Sequence, residues 1–278
     1  MSIGNVAGAL SPSFRPPRLL EYLRALHCLA AIAQHGSAVK AAAAIHLSQP
    51  AITRAIAELE KFTALQLFER TTKGMVPTSC GAQLAQRAQF LQQQLEKGVL
   101  DASAVTPATD RHASAHRFAS AVSPSSLRAL AAVALWPSET LAAQHLGLTQ
   151  PAVHRALKSL EHLAGMTLMQ KSPRGTRLTQ AGEALLRRVK LAIAEASAME
   201  ADIAHWHGHM RGRIVIGALP LSVTMILPKV LGQLFATQPE VEVTVIDGTY
   251  ESLLQKLLYA DVDVILGAMR VHSIHPEL

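Results

Sequence analysis

Cysteine is scarce in this chain, with two residues in 278, Cys28 and Cys80. Both sit in apolar or alanine-rich helical settings and no CxxC spacing occurs, so a disulfide framework is not expected and a reducing cytoplasm is the natural setting. Aromatic residues make up 4% of the sequence, and with Ala and Leu abundant this favours helices with light cores. No uninterrupted apolar run reaches the ~18 residues of a membrane span, and the stretch to Pro17 lacks the charged start and apolar core of a secretory signal, so no membrane partner is expected. Phosphate-cradling GxxxxGK, the GxSxG elbow and HExxH are all missing. Without a recognisable nucleophile, base or cofactor loop, the sequence predicts no enzyme and no cofactor.

Charge becomes informative once it is divided along the chain. Residues 1–100 carry ten Lys/Arg against five Asp/Glu, residues 101–210 eleven against eight, and residues 211–278 five against seven. A basic surface confined to part of a chain suits a polyanion-binding module, because neutralising phosphates releases counterions and supplies the sequence-independent part of binding.

That basic part is written twice. The stretch SQPAITRAIAELE at Ser48–Glu60 returns as TQPAVHRALKSLE at Thr149–Glu161. From Ala41–Ala42 to Gly81 the second copy follows without a gap as Ala142–Ala143 to Gly182, and about a third of the aligned positions are identical, including Leu59/Leu160, Leu67/Leu168, Gly74/Gly175 and Thr78/Thr179. A spacing a little over a hundred residues is too long for a solenoid unit and indicates two copies of a small domain.

Periodicity places the elements. Leu19, Leu20, Leu23, Leu26, Leu29 and Ile32 make Arg18–Gln34 an amphipathic helix, stopped by His35-Gly36. Ser37 is suited to cap a short helix Ala38–Ile45, and Pro50 fits the first turn of a third helix starting near Ser48. Ile52, Ile56 and Leu59 then face inward, leaving Gln49, Thr53, Arg54 and Ala57 on other faces: helix-turn-helix spacing. Leu67–Thr78 has apolar ends around a basic, Gly-containing tip, as a two-stranded wing would, and Thr78 can cap a fourth helix, Cys80–Gly98. Asp101–Pro124, with few large apolar residues, predicts a flexible linker. The second copy predicts helices Ser125–Leu135, Glu139–Leu146, Gln150–Leu163 and Gln180–His205. The remainder alternates strand and helix: Arg213–Gly217, Leu221–Thr237, Val241–Asp247, Tyr250–Ala260, Val262–Gly267, the βαβαβ start of a parallel sheet. The fold class is therefore mainly α, two winged helix-turn-helix domains with long linker helices, plus a partial α/β parallel-sheet domain at the C-terminus. The expected boundaries are a tail over 1–17, domain one with its linker helix over 18–100, a linker over 101–124, domain two with its helix over 125–210, and the α/β part over 211–278.

GSAVKAAAAIHLSQPAITRAIAELE followed by LFERTTKGMVPTSCG resembles the DNA-binding domain of LysR-type transcriptional regulators over nearly all of Leu23–Leu95. The second copy is similar to the same domain over Leu127–Val189, and GRIVIGALPLSVTMILPKVLGQLF onward resembles the beginning of that family's effector-binding domain, cut short. The resemblance implies double-stranded DNA as partner, read through Ser48, Gln49, Pro50, Thr53 and Arg54, with wing residues Arg70 and Lys73 near phosphates or the minor groove. In the second copy Thr149, Gln150, Pro151, His154, Arg155, Arg174 and Arg177 take those places. Gln suits adenine and Arg suits guanine or phosphate. It further implies a homodimer or higher homo-oligomer through a linker helix, with two such helices present and the choice open, and RNA polymerase as a candidate partner. A small effector, favoured as an anion by helix N–H groups, would meet Leu221, Ser222, Val223 and Thr224.

His154 stands where the family usually has a small hydroxyl residue, and Met169-Gln170-Lys171 replaces Phe-Glu-Arg, so the first copy is expected to be the better reader. A rival account keeps the α/β part as a ligand sensor and treats the repeats as interaction domains idle on DNA. His205, His207 and His209 alternate with period two, which does not align imidazoles on one helical face, and Asp261 with Asp263 suits strand-edge or capping charges better than a catalytic pair.

Overall fold

The computed structural model describes residues 16–72, 74–106, 114–136, 138–172 and 175–267. The predicted first helix begins as a 3-10 turn, Arg18–Tyr22, and continues as α1, Leu23–His35; such tightening is common at helix starts. Gly36 ends it with φ +71°, its N–H closing on the Ile32 carbonyl, a conformation that glycine adopts without a Cβ penalty. Ser37 Oγ accepts from the Lys40 N–H at 3.1 Å to start α2, Ala38–Ala44. Ser48 Oγ accepts from Ala51 at 3.4 Å to start α3, Gln49–Thr63, with Pro50 in its first turn. Antiparallel β1, Phe68–Thr71, and β2, Gly74–Pro77, form the wing.

The fourth helix, α4, spans Ser79–Ala104 and so outruns the predicted Cys80–Gly98. Its extension corrects the expected flexible linker: residues 101–104 belong to α4, and Ala115–Ala121 form α5, which packs on α4 and buries Phe118 completely. One large apolar side chain, assisted by Val122, is enough to dock a helix of two turns on an existing face.

The second unit repeats the order as α6 (Pro124–Leu135), α7 (Glu139–Leu146), α8 (Gln150–Ala164), β3 (Met169–Ser172), β4 (Gly175–Leu178) and α9 (Gln180–Trp206). Ser138 Oγ accepts from Leu141 at 3.1 Å, the counterpart of the Ser37 cap. A single apolar cluster runs from Leu19 to Met199 through both units, and α4 lies along α9 in the most extensive helix pairing among the described residues.

Beyond α9 a three-stranded parallel sheet has the order β6-β5-β7, with β5 Gly212–Ala218, β6 Val241–Asp247 and β7 Val264–Leu266. The helix predicted over 221–237 is broken at Ile226 into α10, Pro220–Met225, and α11, Leu227–Thr237. Pro228 lacks an N–H and is tolerated only in the first turn of a helix, so the break falls just before it. α12, Tyr250–Leu258, completes this part. Lys190 Nζ of α9 donates to both Asp261 carboxylate oxygens at 2.7 Å, tying the α/β part to the second unit. Among the described residues no single helix is long and apolar enough to cross a membrane.

Candidate nucleic-acid interface

Each candidate recognition helix is held by one face and bare on the other. Ile52, Ile56 and Leu59 of α3, and Val153, Leu157 and Leu160 of α8, are buried. That leaves Ser48, Gln49, Pro50, Thr53 and Arg54 exposed at the start of α3, and Thr149, Gln150, Pro151, His154 and Arg155 exposed at the start of α8. Amide and guanidinium groups gathered on one exposed helix start are what reading base edges in a major groove requires.

The wing is tied to this helix by a carboxylate the sequence did not single out for the purpose. Glu60 Oε1 accepts from the Leu67 N–H at 2.8 Å and the Phe68 N–H at 3.4 Å; Glu161 Oε1 accepts from Leu168 at 2.9 Å and Met169 at 3.1 Å. Behind the wing, Thr78 and Thr179 accept from the N–H of Gly81 and Gly182 at 3.1 and 3.0 Å. A Cβ on those glycines would lie 1.9 Å from the Leu67 carbonyl oxygen and 2.1 Å from that of Leu168. Recognition helix, wing and linker helix are thus clamped identically in both units, which explains why Glu60/Glu161, Thr78/Thr179 and Gly81/Gly182 recur. Of the predicted wing residues, Arg177 is exposed on β4, Arg70 lies on β1 opposite Met75 with its side chain outside the description, and Lys73 and Arg174 lie outside the described residues.

At the reading edge the units differ. In the first, Thr53 Oγ1 donates back to the Gln49 carbonyl at 3.1 Å. In the second, Gln150 Nε2 donates to Glu139 Oε2 at 2.7 Å, and His154 Nδ1 lies 3.1 Å from the same oxygen. Glu139 opens α7, where the first copy has Ala38. Subtracting one copy from the other would have found it: a carboxylate present in one reading head and absent from its twin. Thr149 also lacks the side-chain cap bond that Ser48 makes.

The four residues expected to meet an effector do not share one face. Leu221 is 77% exposed and Thr224 is exposed, its Oγ1 donating back along the helix to Leu221 at 3.3 Å, whereas Ser222 is buried. The weaker candidates have structural work. Asp263 Oδ2 accepts from the Val215 N–H at 2.6 Å, Asp261 pairs with Lys190, and the His207 Nε2 lies 2.7 Å from the Thr63 carbonyl oxygen. Among the described residues no group of three or more His, Cys, Asp or Glu is placed to hold a metal. Burial pushes the Cys28 thiol up to about 11, which disfavours the nucleophilic thiolate at neutral pH.

Comparison with known proteins matches residues 23–82 and again 124–183 to the bacterial regulatory helix-turn-helix protein model of the lysR family, and residues 207–278 to the LysR substrate binding domain. The chain is 34% identical over 248 residues to the HTH-type transcriptional regulator GalR of Pseudomonas putida, covering 89% of this chain and 60% of that protein. It is 32% identical to a probable hydrogen peroxide-inducible genes activator of Streptomyces viridosporus, covering 51% of this chain and 46% of that one. Among solved structures, a hydrogen peroxide-bound OxyR mutant of Corynebacterium glutamicum aligns with a TM-score of 0.35 and 28% identity, over 54% of this chain and 46% of the other. The chain therefore spans about half the length of most of these relatives, and somewhat more of the Pseudomonas putida protein.

Proposed function

The chain belongs to the LysR family, a family of transcriptional regulators and not of enzymes, and from that premise we propose that it is a sequence-specific regulator binding double-stranded DNA through α3 and α8. The carrying observation is the pair of helix starts, each exposing a Gln and an Arg five residues apart on a rigidly clamped scaffold. Gln49 and Arg54 would supply the base contacts of the first head and Gln150 and Arg155 those of the second, with Arg70, Lys73, Arg174 and Arg177 of the wings at phosphates. Base contacts specify and phosphate contacts position, so the two sets should fail differently. The segment after α9 would take a small effector near Leu221 and Thr224, and the protein would act in the cytoplasm by changing the access of RNA polymerase to DNA.

The test is affinity for random and for selected duplex DNA across a salt series. Binding to both should weaken with salt in proportion to the phosphates contacted. Arg54→Ala should lower selected-site affinity and leave random DNA unchanged, whereas Lys73→Ala should weaken both and flatten the salt dependence. Absence of salt-sensitive DNA binding would overturn the proposal and favour repeats that serve only protein contacts.

A further inference from the structure

We infer that one copy of this chain is a complete two-headed reader, its two units standing where two subunits of a symmetric dimer would stand, and that its target is a pair of unequal half-sites. The DNA part rests on the function proposed above; the pairing of the units does not.

The pairing carries the signature of two-fold symmetry within one polypeptide. In an isologous interface a contact from residue i to residue j is repeated from j to i. With the copies 101 positions apart, the same relation can be checked across α4 and α9. Arg87 Nε donates to Asp202, and its Nη1 reaches Glu195 Oε2 at 3.2 Å. Arg188 Nε donates to Asp101 Oδ2 at 2.7 Å, and its Nη1 reaches Gln94 Oε1 at 3.2 Å. Adding the offset turns Arg87, Asp101 and Gln94 into Arg188, Asp202 and Glu195, so each cluster is the other one rotated.

The sequence of the two helices points the same way. Over 82–105 against 183–206 the copies agree at only three places, Leu84/Leu185, Arg87/Arg188 and Asp101/Asp202. The first pair is buried and the other two make the reciprocal ion pairs. Identity has been kept where the interface needs it. The helix ends repeat the pattern: His207 meets the Thr63 carbonyl at the base of α3, and Thr106, its counterpart by offset, donates to Met166 Sδ at 3.7 Å beyond the base of α8. Close approach is built in as well, since a Cβ on Gly98 would come within 2.9 Å of the Leu185 side chain.

These faces are therefore consumed inside the chain, and no second copy is needed to bring a second recognition helix. The heads so joined are not equivalent, because Thr53 and Ala38 in one correspond to His154 and Glu139 in the other. A palindrome would mismatch one head.

The test is a crosslink at the rim of the pairing. Trp206 Nε1 donates to Gln83 Oε1 at 2.9 Å on a partly exposed edge, one helical turn beyond the Arg87–Asp202 pair but using neither residue of it, and the native Cys28 and Cys80 are buried. The full chain carrying Gln83→Cys and Trp206→Cys, treated with a short bismaleimide, should give a product of one-chain mass that carries one bridging linker by mass spectrometry and runs apart from the untreated chain on a denaturing gel, in a yield unchanged by dilution. A two-chain product that fades on dilution, or no crosslink, would overturn the intrachain pairing. On a duplex selected from random DNA, sedimentation of the unmodified protein should give one chain per bipartite site; two chains per site would overturn the two-headed reader. Internal crosslinking without any bound duplex would instead refute the DNA reading alone.

Discussion

Ala38 opens the helix facing Gln49 and Thr53 in the first unit, whereas the second has Glu139 at that point, with its carboxylate against Gln150 and His154. The scaffold beneath is the same in both: Ser caps, a Glu that ties the wing, a Thr and a close-packed Gly at the linker helix. Duplication has thus preserved what holds a recognition helix and altered what that helix presents. It has also moved backbone strain to the other side. Ala64 ends α3 at φ +52° and His46 sits at φ +54°, where the second unit has Gly165 and Gly147. The first unit has the open reading edge on a strained frame; the second has a relaxed frame and an occupied edge.

The scaffold equivalence is the easiest part to break. Gly81→Ala and Gly182→Ala each drive a Cβ into a carbonyl oxygen, so each should cost about 3 kcal/mol in urea unfolding, since backbone and not a flexible side chain must give way. A glycine that tolerates Ala would end the claim of identical clamps. Next in size, Arg54→Ala and Arg155→Ala should each lower affinity for the selected duplex by about 1–3 kcal/mol, roughly five- to 150-fold. A loss confined to Arg54→Ala would make the second head silent.

Glu139 separates the heads most specifically. Removing its negative charge from the proposed reading edge, and releasing Gln150 and His154, should raise the affinity of Glu139→Ala about tenfold at low salt, with the gain shrinking as salt screens it. Ala38→Glu should do the reverse in the first unit. An unchanged affinity in both would leave the carboxylate a structural contact only. Smaller still, Ala64→Gly should stabilise the chain by about 1 kcal/mol and Gly165→Ala destabilise it by a similar amount, because only the non-glycine residue meets a Cβ penalty in the left-handed region.

The smallest effect is a pH dependence carried by His27 of the first unit, a titrating residue that the second unit lacks at the matching position. Burial, helped by His116, holds the His27 imidazole below its ordinary range, while Glu96 opposes; the corresponding residue of the second unit is Arg128. The folded state then binds a proton less readily than the unfolded chain. Stability from this group is therefore full above about pH 6.5 and declines as pH falls through and below it. In His27→Gln the slope of unfolding midpoint between neutral and mildly acid pH should flatten; an unchanged slope would assign it elsewhere.

Most helices were legible because their apolar period and caps agree: Ser37, Ser48, Ser138 and Thr78 stand where the orphan N–H groups need them. The exposure of the proposed reading residues was legible for the same reason, since burying Ile52, Ile56 and Leu59 leaves Gln49, Thr53 and Arg54 facing solvent. What the pattern could not convey was anything set by distant packing. A single Phe118 docks α5 inside a segment of linker composition, Pro228 breaks a helix whose periodicity runs on, and Glu139 finds Gln150 and His154 only once α7 and α8 are folded together. The pairing of α4 with α9 was hidden because the copies diverge after Gly81, so that Arg87/Arg188 and Asp101/Asp202 look like coincidences until the antiparallel contact places each arginine on the other copy's carboxylate.

The most direct test of two unequal heads in one chain is the shape of the motif enriched from random duplex DNA by the unmodified protein, by Arg54→Ala and by Arg155→Ala. The account predicts a bipartite motif with two different arms, one erased by each substitution while the other survives. A perfect palindrome, lost as a whole with either substitution, would contradict it.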